Sequence, residues 1–360
     1  MPNVNFSYNK AINGLKDSRI KGLTAQVGAL IQEGMKDGAK KSAIPYLYNE
    51  KKSDKQIERI AVEDGYDLMD PTPDGNPAKN DKTNEIGHKE ISHVVYTKAV
   101  SVSEVMMEDA GYGLSPDIEL QGRALPDSYW RTRETVAQGA YINGEKDHFL
   151  YRSAKIDPTT YDGKPLFSNA HTYGDQEKGH AYGTQSNLFY IVDANPTAGT
   201  IAEILSAGAS HINQMLNSNG EAQDFDADTV FVPRGVATNG FVDKVRRAIG
   251  SEYFPGTANN YNDINTQHGA WNFVPLSLWK PDTPEIMIMS QNAKRMMKAM
   301  FYNRINLDVN VWETPGTGTM NWRARTRFGL GFVDYKHVIK IKIFAEKPAD
   351  VSGMTELKIN

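Results

Sequence analysis

The sequence predicts an α+β fold of about two domains, and three features of the 360-residue chain carry that expectation. A proline-rich polar segment is flanked by runs of β-branched residues, one long helical pattern occupies the middle, and strand and helix patterns alternate from Asn195 to Met320. With 39% hydrophobic and 23% charged residues, the chain has enough apolar material for a real core and is not disordered overall.

Taken in order, Ile12, Leu15, Leu23, Val27, Leu30 and Ile31 recur mostly at helical spacing, which predicts an amphipathic N-terminal helix ending near Gly38. From Tyr46 to Glu90 the chain turns polar. Its centre, DPTPDGNPAKNDK (Asp70 to Lys82), has three prolines, three aspartates and Ala78 as its one apolar side chain, so it cannot bury itself. IERIAV (Ile57 to Val62) and ISHVVYTKAVSVS (Ile91 to Ser103) read as the strands on either side. An isolated ribbon of this kind is marginal in water, so it leans on a neighbouring chain or is a mobile surface insertion.

A long helix should follow, opened by Pro126 at a first-turn position and carrying Trp130, Val136, Ala137, Ala140, Tyr141, His148 and Phe149. Extended to Arg152 it would be about 40 Å long, with Gly139 and Gly144 as weak points. YDGKPLF (Tyr161 to Phe167) reads as a turn entering a short strand. A helix over Ile201, Ile204, Leu205, Ile212 and Met215 comes next, then a buried strand TVFVP (Thr229 to Pro233), a helix to Ile249, and strands NFVPLSLW and EIMIMS. Near the end, Arg323, Arg325 and Arg327 fall on one face of WRARTRF, and Lys340 and Lys342 on one face of IKIKI. Such faces are either solvated or paired with acidic patches on neighbours or with DNA.

Composition excludes several functions. A net charge of −4 argues against a chain whose main task is gripping nucleic acid. The absence of cysteine removes disulfides, thiolate catalysis and Cys-ligated metals, and fits a reducing cytoplasm. The opening MPNVNFSYNK does not resemble a signal peptide, and no apolar run is long enough for a membrane helix.

Catalytic signatures are nearly absent: there is no HExxH, P-loop, GxSxG or complete GxGxxG, and Gly111/Gly113 and Gly316/Gly318 read as turns. Asp224, Asp226 and Asp228 imitate a calcium loop, but Thr229 and Gly235 stand where its glycine and glutamate are needed. His171, with Ser168 and Asp175 on one polar loop, does not suit a triad, and Glu63/Asp64 and Glu108/Asp109 are adjacent pairs that do not face each other. Neither an enzyme nor a cofactor is expected.

YDGKPLFSNAHTYG (Tyr161 to Gly174) resembles the D-G-x-x-L-F-S-x-x-H signature of the Mu-like major head subunit family of tailed phages. DTVFVPRGVATNGFVDKV (Asp228 to Val245) is similar to the strand and helix that begin the axial domain of those proteins, and RFGLGFVDYKHV (Arg327 to Val338) fits the returning strand. The resemblance implies the Hong Kong 97 type capsid fold. It places an N-terminal arm at 1–50, an extended β-hairpin loop at 51–104, a peripheral domain at 105–194 and 321–360 with its spine helix at 126–152, and an axial α/β domain at 195–320.

The implied function is that of a major capsid protein, self-assembling into pentamers and hexamers of an icosahedral head around the phage genome. It would be built in the bacterial host cytoplasm and reside in the virion. Implied partners are copies of itself, a portal, a scaffold supplied by another chain, sometimes a decoration protein, and weakly the packaged double-stranded DNA; no membrane is involved. Expected contact residues between subunits are Asp70, Pro73, Asp74, Lys79 and Lys82 in the loop and Arg323, Arg325 and Arg327 on the cationic strand. Lys79, Lys82 and Lys89 are also the loop lysines available for the lysine–asparagine cross-link found in one branch of the fold. Two alternatives are an encapsulin-like nanocompartment shell and a soluble α/β hydrolase with a lid at Asp70 to Lys82.

Overall fold

The computed structural model describes residues 18–63, 69–77, 80, 85–110, 116–173, 183–235, 238–253, 264–314 and 316–359. Helix α1 (Ser18–Lys41) turns Val27, Ile31 and Met35 inward, each one turn from the next, and lies along α4 (Pro116–Ile142). The helix runs past Gly38 because that glycine and Gly34 are where the two helices meet most closely. A Cβ on Gly34 would lie 2.5 Å from Pro126 Cγ, and one on Gly38 would enter the Trp130 ring. Ile12 and Leu15 lie outside the described residues.

Pro126 therefore stands inside α4, not at its start. Proline forfeits one helical hydrogen bond and crowds the preceding turn, but its ring here fills the notch that Gly34 leaves. The helix ends at Ile142, before Arg152, where Asn143 caps Gly139 O through its backbone N–H at 2.9 Å and its side-chain amide at 3.0 Å. Phe149 belongs instead to a short hairpin, β5 (Phe149–Tyr151) and β6 (Ala154–Ile156).

The short helix α2 (Ile44–Leu47) leads into β1 (Asn49–Lys52), then β2 (Ile57–Glu63), β3 (Glu85–Ser92) and β4 (Val94–Val102). β2 pairs antiparallel with β3 and forms a separate two-stranded ribbon. The β-branched run read as one strand from Ile91 is two: it breaks at His93, and everything beyond joins another sheet. That sheet has the order β1-β13-β14-β4, built on the long hairpin β13 (Ala299–Thr314) and β14 (Thr319–Phe332). Helix α3 (Glu104–Asp109) follows β4, capped by Ser103, whose hydroxyl accepts from Met106 N–H.

The second sheet has six strands in the order β11-β10-β12-β15-β9-β16. These are β9 (Leu188–Val192), β10 (Thr229–Pro233), β11 (Asn272–Leu276), β12 (Glu285–Met289), β15 (Val338–Phe344) and β16 (Thr355–Glu356); β7 (His171–Tyr173) and β8 (Gly183–Gln185) form a small ribbon beside it. One face, with Val230, Val232, Ile286, Ile288, Ile339 and Ile341, packs on α5 (Ala198–Asn213) and α6 (Asn239–Gly250). The other, with Phe231, Met287, Met289 and Val338, meets Val136, Ala137, Ala140 and Tyr141 of α4. Covered on both faces, the sheet reads as continuous apolar runs such as TVFVP and EIMIM. α7 (Gln291–Met296) links β12 to β13.

Sheet membership crosses the segment limits 195 and 321. β9, β15 and β16 complete the sheet of β10–β12, while β13, inside 195–320, pairs with β14 elsewhere. A parallel or central strand is recruited by pairing edges, which sequence proximity does not reveal.

Candidate assembly surfaces

The described tip of the β2–β3 excursion, residues 69–77, is exposed throughout, including Asp70, Pro73 and Asp74, and Met69 is fully exposed. A turn closes on Asn76 N–H donating to Pro73 O at 3.1 Å, with Gly75 at φ +87°, a conformation that favours glycine. Lys79 and Lys82 lie outside the described residues. Lys89 is not available at the surface: it is buried, with Nζ 2.8 Å from Asp157 and 2.7 Å from the Thr159 hydroxyl. Burial works to raise the Asp157 carboxyl, but the bonds from Lys89 and Thr159 hold it below its ordinary range.

The ribbon is fastened to the four-stranded sheet at its base and along β2. Lys298 Nζ donates to Ala61 O at 2.9 Å, Arg304 to Lys55 O at 2.6 Å, and Ser53 N–H to Asn303 O at 3.1 Å.

Arg323, Arg325 and Arg327 do share one face of β14, while Trp322, Ala324, Thr326 and Phe328 are buried on the other. Their settings differ. Arg323 is exposed, Arg325 lies across from Asp308 on β13 at 3.3 Å, and Arg327 is half-buried beside the ribbon base. The lysine face is a correction: Lys340 is buried and bridges Glu145 at 2.8 Å and Glu285 at 3.2 Å, and Lys342 lies 2.6 Å from Glu145. The alternate face of β15 points at α4 instead of solvent, so its lysines pair within the chain. Burial raises the Glu145 carboxyl, and the two lysines more than offset this.

β4 is a free edge among the described residues, pairing only with β14. Beside it runs a groove of about 290 Å³ whose other walls are Leu125 and Tyr129 of α4 and Tyr151–Ala154 of the β5–β6 hairpin. Val95 and Leu150 are exposed at 50% and 66%. Lys98 and Arg152 line or border the groove, and no carboxylate does. Sequence reading missed this surface, because an edge is defined by the strand that is not there.

YDGKPLFSNAHTY, the described part of the motif (161–173), is a clasp. Asp162 accepts from the Thr160 hydroxyl at 2.6 Å, from Lys164 N–H at 3.1 Å and from His171 Nδ1 at 2.8 Å; the other ring nitrogen of His171 faces Leu166 O at 3.2 Å. The ring stacks on Tyr335 at 3.7 Å and is fully buried, so His171 is neither a loop histidine nor a base for Ser168, whose hydroxyl accepts from Ala170 N–H. Residues 161–167 form a turn with a single bridge, Thr159 to Pro165, in place of the expected strand. Asp175, Gly111 and Gly113 lie outside the described residues.

Asp224 accepts from Asn213 and Asp228 from the Thr229 hydroxyl and Gln291 N–H, and no cluster of three or more metal-ligating side chains occurs among the described residues. Among the same residues no helix is long and apolar enough to cross a membrane.

No family model matches the sequence, and no curated protein is similar to it. Among solved structures, the chain is similar to one from Microbacterium phage Oxtober96, with 12% identity over 84% of this chain and 91% of that one and a TM-score of 0.45. It is also similar to the capsid of Ralstonia phage GP4, at 12% identity, 84% and 88% coverage and a TM-score of 0.46. A third is a virus-like particle from Pyrococcus furiosus, at 6% identity, 87% and 98% coverage and a TM-score of 0.47.

Proposed function

We propose that this chain is a shell-forming subunit, the major capsid protein of a tailed phage, which assembles with copies of itself into pentamers and hexamers of an icosahedral head. The observation that carries this reading is the β2–β3 ribbon, whose tip at 69–77 is exposed along its whole described length. A two-stranded ribbon gains little stability alone, so its covering surface belongs to another molecule. The β4 edge, unpaired among the described residues and beside exposed Val95 and Leu150, supports the same reading, since a free edge flanked by apolar side chains invites cover. The alternating sign of the exposed groups, Asp70 and Asp74 on the ribbon against Lys98, Arg152 and Arg323 on the body, suits contacts between copies.

In this reading the arm is 1–50, the loop 51–104, the peripheral domain 105–194 with 321–360, and the axial domain 195–320. A portal, a scaffold and packaged DNA are its partners, and the virion its location. No step of bond making is assigned to it. Electron microscopy of the purified protein, with nuclease-protected nucleic acid measured in any particles, tests the proposal. Uniform closed shells holding DNA are expected. Shells holding an enzyme instead would transfer the chain to a nanocompartment, and a persistent monomer at all concentrations and salts would remove the shell reading.

A further inference from the structure

The chain enters the β2–β3 ribbon at Ser53, just after β1, and leaves it at His93, the single residue between β3 and β4. These two crossing points touch: Ser53 Oγ lies 2.8 Å from His93 Nε2 and 2.5 Å from Glu58 Oε1 on β2. All three residues are buried, at 4%, 9% and 9% exposure. The arrangement is not a catalytic triad, because the carboxylate meets the hydroxyl and not the imidazole.

The hydrogen-bond inventory assigns direction. The Ser53 hydroxyl has one proton, and Glu58 can only accept it, so the Ser53 oxygen is left to accept from His93 Nε2–H. The second ring nitrogen, Nδ1, is buried and has no hydrogen-bond partner. It faces the backbone of β14: a Cβ on Gly329 would lie 2.7 Å from Nδ1 and 2.5 Å from Ser92 O, so the chain passes here only because residue 329 is glycine. Around the ring stand Arg327 from β14, Arg304 and Tyr302 from β13, and Glu58 from β2, itself 3.7 Å from Lys55.

We propose that His93, Ser53 and Glu58 form a proton-operated latch that holds the ribbon against the four-stranded sheet when His93 is neutral and releases it when His93 takes a second proton. A proton on Nδ1 would have no hydrogen-bond partner in place and would stand beside the Arg327 and Arg304 guanidinium groups, with Glu58 the carboxylate that opposes them. Burial, then Arg327 and Arg304, lower the His93 pKa from 6.5, and Glu58 only partly opposes them. The closed latch therefore binds fewer protons than an open one in which the ring is hydrated. Its hold is complete above about pH 6.5 and weakens as pH falls below that value. Opening the latch loosens the ribbon at its crossing points without detaching it, because Arg304 and Ser53 N–H hold the base while Lys298 to Ala61 O and Lys89 to Asp157 and Thr159 hold it further along β2 and β3.

The 360-residue chain has no cysteine, so Thr72→Cys on the tip and Thr97→Cys on β4 supply two unique spin-label sites. Their distance distribution is measured from about pH 8 to about pH 5, the range over which histidine titrates, with far-UV circular dichroism confirming that the fold persists. A reversible shift or broadening on acidification is expected in the parent chain. His93→Gln, which keeps a donor and cannot charge, should abolish it. Ser53→Ala, which removes the partner of the neutral ring, should move its midpoint to higher pH, and either variant serves if the other fails to fold. A distance that does not change with pH in the parent, or one that changes identically in the parent and in the folded variants, would overturn the latch.

Discussion

At the scale of single residues, the chain fixes its irregular segments with buried polar pins. His171 is one: it spends both ring nitrogens inside the clasp and its face on Tyr335. Removing it as His171→Ala takes the partner from Asp162 Oδ2 in a dry site and empties the space beneath Tyr335, while Thr160 and Lys164 still hold Asp162 Oδ1 and Asn187 still holds Leu166 O, and the expected loss in chemical denaturation is about 2–4 kcal/mol. Asp162 would rise by burial, but His171, Thr160 and Lys164 N–H hold it below its ordinary 3.8. Its contribution is present above that pH and is lost as pH falls through the lowered value. A second pin, His337, is buried against Tyr141 and Asp334 O, and burial lowers it to about 4. The unfolded chain takes up this proton near 6.5 and the folded chain does not, so stability falls between those values by on the order of 3 kcal/mol. His337→Phe should flatten that part of the pH–stability curve without abolishing it, because His93 and His211 are also lowered by burial; an unchanged curve would show that His337 charges in the native state.

At the scale of elements, the α1–α4 contact rests on two glycines. Gly38→Val drives a branched side chain into Trp130, whose indole N–H donates to Met35 O at 3.2 Å. The expected cost is about 1–3 kcal/mol, seen as faster hydrogen exchange in α1 with α5 and α6 unaffected. The same contact explains what the sequence concealed. Pro126 looks like a helix start because proline normally is one, and only the notch at Gly34 makes an interior site tolerable. The helices over 198–213 and 239–250 and the strands TVFVP and EIMIM were legible, since period and burial agree there. The partner of Ile57–Glu63 was not, because Glu85–Ser92 is polar on its outer face while the stronger β-branched run, Val94–Val102, belongs to another sheet. Lys340 and Lys342 misled for a related reason: alternation marks two faces, and here the second meets Glu145 and Glu285. The cationic strand of Arg323 was read correctly as one face, yet Asp308 already engages Arg325.

At the scale of the molecule, the body and the ribbon answer to different stabilising surfaces. The body has its own cores, on both faces of the six-stranded sheet and between α1, α4 and the β13–β14 hairpin. The ribbon has Ile91 and Ile60 packed on Met300 and Tyr302, with Val62 also buried, and the described residues of its tip, 69–77, are all exposed. Deleting Asp67 to Asn84 and closing the ribbon with a short Gly-Ser turn removes, among the described residues, none that belongs to these cores. The melting transition should stay within the ±0.5 kcal/mol or so typical of changes away from buried features. If the tip's covering surface lies on a second copy, the same deletion should abolish closed particles or leave irregular ones, because each lost contact is repeated at every position of a symmetric shell. Stability and particle yield are then measured on the same preparation. Normal particles from the deleted chain would strip the ribbon of its assembly role, whereas a collapsed melting transition would place its packing surface on its own body.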